Sequence, residues 1–491
     1  MTAIARRLSP AAAAPFTLPT ATLLLVPFAL LGIVGTMSPF YALGAVLGVV
    51  FVVIAVRSLA AGVALFTVTT FFTHLPGTGS GSAIEVTGSK AAGAVLALVW
   101  FLLLIRRNDV PFLLADQPLL GFSLIGFQVW ALGTALWAQD PGLAVTSSLR
   151  YGQNFLLVFV MYSALREPRH FRWLVWAFIS AALVSLVIAF ASGPQESDPR
   201  QTALVHSSRL TGRYGAGDPN YFAALLLPAI VFVAFLLVSE RRRAAKLALP
   251  TLAGLFMVGL FQTESRGGLI ALLTTALLSL FLAGRWRSRA LLATALVTIV
   301  GVTYFGAIAS PESRARVTRI NAQDSSGRDD LWRIGLNMAA DHPVLGVGAG
   351  NFTRVSPRYA ARPPDIVSVN FVVDTPKVTH NTYLNILDEL GIPGIALLAV
   401  IVASTFAAGF AGIRALNQSR ALRMETLARA IVLGAMGMLV ASFFFSGEYQ
   451  KQLWLLLGAV AALPSVARIV AEAREQPVAR TQRPATSPGV A

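Results

Sequence analysis

Residues 247–283 read LALPTLAGLFMVGLFQTESRGGLIALLTTALLSLFLA, thirty-seven positions carrying two charges, Glu264 and Arg266. One α-helix of that length would run about 55 Å, far beyond a hydrocarbon core of about 30 Å. The stretch therefore reads as two membrane-crossing helices joined by a tight turn at Ser265-Arg266-Gly267-Gly268. That hairpin decides the fold class.

Working outward, the same apolar character recurs along the chain. Segments fall at roughly 17–35, 40–56, 59–74, 91–105, 119–138, 151–165, 173–192, 220–238, 247–263, 267–283, 290–309, 386–410, 430–446 and 452–467. The segment at 91–105 is short and 386–410 is long. The expectation is an all-α integral membrane protein with about 12–14 transmembrane helices. Composition agrees: 13% of the 491 residues are charged, against about 25% in soluble proteins. Mean hydropathy is +0.68. The alternating strands of a membrane β-barrel are missing. Arg6 and Arg7 precede the first apolar run and suit a signal-peptide start, but the many later spans favour a first transmembrane helix. With no cysteine, disulfides and thiolate metal sites are excluded.

The net charge of +16 invites a nucleic-acid reading, but the cations sit in short loops between apolar runs. With the N-terminus inside, alternation gives seventeen Lys/Arg in the inner loops and seven in the short outer ones, Arg150 and Arg266 among the seven. That bias orients the chain with both termini cytoplasmic and argues for no nucleic-acid partner. It also puts one large loop outside. The expected organisation is 1–309 (about eleven spans), 310–382 (the large loop), 383–467 (the last spans) and 468–491 (a disordered tail).

The loop carries nine Lys/Arg and seven Asp/Glu. Asp324-Ser325-Ser326 reads as a helix start and Arg328 to Ala340 as a helix, ended by His342-Pro343. Gly346 to Phe352 reads as a flexible turn and Pro357 to Pro364 as irregular. The loop closes on Thr379-His380-Asn381, where the next apolar helix begins.

His380 is one of five histidines. Its place at the membrane face and its ordinary titration near neutrality suit a general base; a purely structural histidine is the alternative. Arg266 is either a guanidinium snorkelling to the interface beside Glu264 or a functional charge at an economical turn. In the glycine-rich loop 208–220, Arg213 is either a solvated surface residue or a contact for a diphosphate. Arg328 opens the loop helix, where N–H groups and guanidinium together favour an anion; the alternative is an ion pair with Asp324 or Asp329. Trp332 shares its face, as packing or as a stacking surface for a sugar, and Arg333 is the reserve cation. Glu389 orients His380 or an arginine, or is a buried structural partner; the sequence leaves both open. The outer loops have no Asp-x-Asp or Glu-x-Asp pair to hold a divalent cation, so arginines would supply positive charge to a diphosphate directly.

Three motifs together carry a resemblance. His380-Asn381-x-x-Leu384-x-x-Leu387-x-Glu389-x-Gly391, Ser265-Arg266-Gly267, and Arg328-x-x-x-Trp332 followed by Pro343-x-x-Gly346-x-Gly348 resemble the O-antigen ligase and polymerase superfamily. The resemblance implies a bacterial inner-membrane enzyme of GT-C-like helical architecture. It would take a glycan from undecaprenyl diphosphate on the periplasmic side, without metal or other cofactor, with inversion. By similarity His380 is the base and Arg266 and Arg328 lie at the diphosphate. Arg213, Arg333, Trp332, Asn381 and Glu389 are the substrate-binding candidates, Arg213 being the looser match. The expected partners are the lipid-linked donor, a lipid A-core or glycan acceptor, and membrane lipids. Ligase stands ahead of polymerase. A transporter or flippase is the reading from another class, and a scaffold for polysaccharide export is the last.

Overall fold

The computed structural model describes residues 39–73, 88–106, 110–193, 209–212, 215–239, 243–318, 328–360 and 378–481. Among them there is no strand; the one β-bridge pairs Gly212 with Ala216. The expected segment 17–35 and the helix start at Asp324-Ser325-Ser326 lie outside the described residues.

Each expected apolar segment from 40–56 onward has most of its described residues in a helix. Nine helices among the described residues are long and apolar enough to cross a membrane. Gly44–Arg57, Leu59–Thr69 and Arg266–Leu282 are shorter apolar helices. The chain is a multi-pass α-helical membrane protein. Residues 247–283 form the expected hairpin, with Arg243–Gln262 before the turn and Arg266–Leu282 after it.

Two helices occupy the centre of the bundle, Pro219–Ser239 and Leu422–Ala441, packed on each other. Around them stand Arg243–Gln262 and Arg266–Leu282 on one side. On another, Lys451–Ala461 packs on Pro141–Ala164. Small residues bring the backbones together, as is usual in membranes. A Cβ at Gly437 would strike Leu227 and Thr275, and one at Gly458 would strike Met161. The outermost helix, Arg287–Thr303, presents Leu291, Leu292, Leu296 and Ile299 outward. In a bilayer that surface meets lipid.

Four boundaries depart from the sequence reading. Helix Pro141–Ala164 begins ten residues before the apolar run at 151, because Asp140 caps it by accepting from Leu143 N at 2.9 Å and Pro141 fits its first turn. Arg150, expected in a loop, therefore lies inside a helix. The helix expected over 386–410 runs from Thr382 to Gln418 and breaks at Gly391, at φ 66° and ψ −167°. Pro357, expected in irregular chain, lies inside helix Phe352–Ala360. Helix Leu463–Thr481 continues past Arg468, where disorder was expected.

The large loop has a small core of its own. Helices Arg328–Asp341 and Phe352–Ala360 enclose Leu331, Ile334, Met338, Val347, Phe352, Val355 and Tyr359. Tyr359 Oη donates to Asp341 Oδ2 at 2.9 Å. This unit docks on residues 382–392. Val347 N donates to Asp388 O and Gly348 N to Glu389 O, both at 2.9 Å, and Ile392 N donates to Pro343 O at 2.8 Å. The expected flexible turn at Gly346–Phe352 is thus a docked strip. Gly346, Gly348 and Gly350 all take positive φ, and a Cβ at Gly346 would collide with the Glu389 carbonyl.

Candidate functional site

The hairpin turns at one end of the bundle converge on a single connection, residues 442–450, between helices Leu422–Ala441 and Lys451–Ala461. His380 leans on it through its neighbours. Thr382 N donates to Ser442 O at 2.9 Å, Thr382 Oγ1 donates to Phe445 O at 3.0 Å, and Gly447 N donates to Thr382 Oγ1 at 2.7 Å. Thr379 Oγ1 donates across the histidine to Asn381 O at 2.8 Å. His380, half-buried between them, is held at φ 51°, in the left-handed region. Only a few per cent of non-glycine residues adopt it.

Asn381 caps the helix that follows. Its Oδ1 accepts from Tyr383 N at 3.0 Å and Leu384 N at 3.1 Å, which commits that oxygen to the fold. Trp332 also has a structural bond: its Nε1 donates to Thr379 O at 3.0 Å. That bond ties helix Arg328–Asp341 to the residue before His380. Arg328, half-buried, stands one turn before Trp332 on the same face. Arg333, the next residue along, is exposed.

The turn that carries Arg266 packs on the same connection from the other side. Gly267, next to Arg266, packs so closely on Phe444 that a Cβ there would overlap the ring. The turn before it contains Glu264 at φ 49°. The Glu264 carboxylate accepts from Ser313 Oγ. Ser265 caps the helix, accepting from Gly268 N at 3.0 Å and donating to Asn220 Oδ1 at 2.7 Å. Arg209, which the sequence did not single out, locks this turn from outside. Its Nε donates to Thr263 O at 2.8 Å and its guanidinium lies 3.4 Å from Asn220 Oδ1. Arg213 lies outside the described residues.

Glu389 is buried, and its carboxylate accepts from Gly350 N at 2.7 Å. It lies before the break at Gly391, so it anchors the docked strip rather than sitting deep in an apolar span. Both roles read from the sequence have a contact: Gly350 for the structural one, and Asn385, which leads toward the turn holding His380, for the orienting one. Asn385, four residues earlier on the same face, hydrogen-bonds the Glu389 carboxylate and carries the contacts further. Its Nδ2 donates to Glu448 Oε1 at 3.1 Å and its Oδ1 lies 3.4 Å from Thr379 Oγ1. A polar chain therefore runs from the turn holding His380 to a buried carboxylate on the 442–450 connection. Glu448 Oε2 has no hydrogen-bond partner among the described residues, and burial raises the Glu448 carboxyl to about 7. Beside it, Tyr449 lies 4.7 Å from the Tyr151 ring, and the Arg150 guanidinium sits 5.7 Å from the Tyr449 ring. Sequence reasoning passed over Glu448. Yet an acid in the short link Phe443-Phe444-Phe445-Ser446-Gly447-Glu448 is as economical a charge as Arg266 in its own turn.

The site therefore presents one imidazole and two guanidinium groups at one end of the bundle, on turns braced by a shared connection. An imidazole can accept a hydroxyl proton, and guanidinium groups can fork onto phosphate oxygens. Among the described residues no group of three or more His, Cys, Asp or Glu could hold a metal ion.

Comparison with known families bears on the same stretch. Residues 251–399 match the family model described as O-antigen ligase. The matched stretch includes Arg266, Arg328, His380 and Glu389; Arg213 falls before it. No curated protein matches the chain.

Proposed function

We propose that this multi-pass membrane protein, whose residues 251–399 match the family model described as O-antigen ligase, is an O-antigen ligase. It moves a glycan from undecaprenyl diphosphate to a hydroxyl of lipid A-core, on the periplasmic side of the bacterial inner membrane, within a GT-C-like helical bundle. The observation that carries this reading is the convergence of the turns bearing His380 and Arg266 on the 442–450 connection, with Trp332 docking the Arg328 helix beside them.

In the proposed reaction the acceptor oxygen attacks the anomeric carbon while the bond from that carbon to the diphosphate oxygen breaks. The electron pair leaves with the diphosphate, and attack from the opposite face inverts the centre. His380 takes the acceptor proton. Arg266 and Arg328 hold the leaving diphosphate and offset the charge it gains, work that preorganised cations do well in a water-poor site. A diphosphate leaves readily and needs little acid assistance, so one base suffices. Both termini are then cytoplasmic and the 310–382 loop is periplasmic.

The test is a transfer assay with the purified full chain, undecaprenyl-diphosphate glycan and lipid A-core. His380→Ala is expected to lose about 10²–10⁴-fold in turnover, the usual contribution of a general base, with its melting temperature retained. A chelator is expected to leave turnover unchanged. Full activity of His380→Ala defeats the assignment. Product only with a second glycan carrier as acceptor assigns the chain as a polymerase, and glycan flux into vesicles without covalent transfer assigns it as a transporter.

A further inference from the structure

The end of the bundle opposite His380 carries a second polar feature. Helices Pro219–Ser239, Arg266–Leu282 and Leu422–Ala441 each have one terminus at the candidate site. Their other termini lie about 30 Å away, at the far membrane face. There a cavity of about 840 Å³ is lined by Arg172, Lys246, Arg289, Arg420, Arg423 and Arg474. None of its lining residues is an aspartate or a glutamate.

A bias of cations toward one membrane face is ordinary. What marks these six is that they share one cavity whose lining carries no acid. Away from the cavity, some basic residues at this end have carboxylate partners. Arg429 meets Glu425 at 2.7 Å, Arg285 meets Glu425 at 3.0 Å and Arg169 meets Glu167 at 2.8 Å. Among the described residues, none of the six lining cations makes a salt bridge. Arg474 donates to Ser419 O at 2.7 Å, and Arg289 lies 4.5 Å over the Trp286 ring. Arg420 is held at φ 55°, a strained backbone at the tight turn between two spans.

The cavity adjoins an apolar one. Val238, Trp286 and Arg289 line both. The second, about 120 Å³, runs up the bundle between Phe235, Leu272, Ala276 and Val297. An anion-attracting bowl at the interface that opens into an apolar slot between helices matches a charged head with an acyl chain. We propose that this face binds an anionic phospholipid, its phosphate among Arg289, Arg420 and Arg423 and one acyl chain in the slot.

The full chain in nanodiscs of phosphatidylcholine with a minority of phosphatidylglycerol or cardiolipin provides the test, with retained lipids counted by native mass spectrometry. The wild type is expected to enrich the anionic lipid about tenfold or more, a preference of about 1.4 kcal/mol, and to lose part of it at high salt. The triple variant R289Q/R420Q/R423Q is expected to lose the enrichment. The control R106Q/R414Q, exposed cations outside the cavity, is expected to keep it. Ala234→Trp, which fills the slot without changing charge, is expected to reduce enrichment and keeps the test valid if the triple variant does not fold. Equal retention of phosphatidylcholine, an equal loss in the control, or displacement of the lipid by inorganic phosphate overturns the proposal.

Discussion

His380, Glu264 and Arg420 are the described non-glycine residues with positive φ. Such backbone costs about 1–3 kcal/mol each and persists where surroundings enforce it. Two of the three stand at the candidate site and the third lines the basic cavity. At His380 the enforcing contacts run through Thr379, Asn385 and Glu448. Glu448 makes this testable by pH. Its carboxyl, ordinarily near 4.5, is raised by burial to about 7. The folded state therefore prefers it protonated: the stability this provides is complete below about pH 4.5 and lost as pH rises through about 7. At about 1.4 kcal/mol per unit, the effect is a few kcal/mol at most. Glu448→Gln is expected to flatten the fall in melting temperature between pH 5 and pH 8. An unchanged fall in that variant shows that Glu448 does not titrate as described. That His380, Arg266 and Arg328 stand at helix starts was legible in the sequence, because at each a polar stretch meets a helical pattern. The Asn385–Glu448 contact was not, since it joins residues 63 positions apart and no local spacing encodes it.

Among elements, the hairpin at 247–283 was legible because length and hydropathy alone forbid a single span. The helix at Arg328 was legible from its periodicity and its His342-Pro343 stop. The start of helix Pro141–Ala164 was missed because Asp140 and Pro141 look like loop residues until their capping geometry is known. The docked strip 346–350 was read as flexible because glycines signal freedom in a sequence, whereas here their positive φ values serve close packing on 388–391. Gly346→Ala tests that difference. A left-handed alanine costs about 1–2 kcal/mol, and its Cβ would also press on the Glu389 carbonyl. The variant is expected to expose helix Phe352–Ala360 to limited proteolysis and to lower transfer, while the remaining spans keep their protection. Wild-type resistance to protease would show the strip to be tolerant.

At the scale of the whole molecule, chemistry is divided between two membrane faces. Imidazole and guanidinium groups gather at one, and a basic cavity opens at the other. The inner-versus-outer count of cations anticipated that polarity, although Arg150, counted in a loop, lies within a helix. The absence of native cysteine makes the arrangement directly measurable. Single cysteines placed at Val378 and Leu336, beside His380 and on the Arg328 helix, and at Ser288, beside Arg289, are all at exposed positions. In intact cells a membrane-impermeant thiol reagent is expected to label Val378→Cys and Leu336→Cys, and to label Ser288→Cys only after the membrane is opened. Labelling of Ser288→Cys together with either of the others in intact cells would put the imidazole and the basic cavity on one face, and would contradict the account.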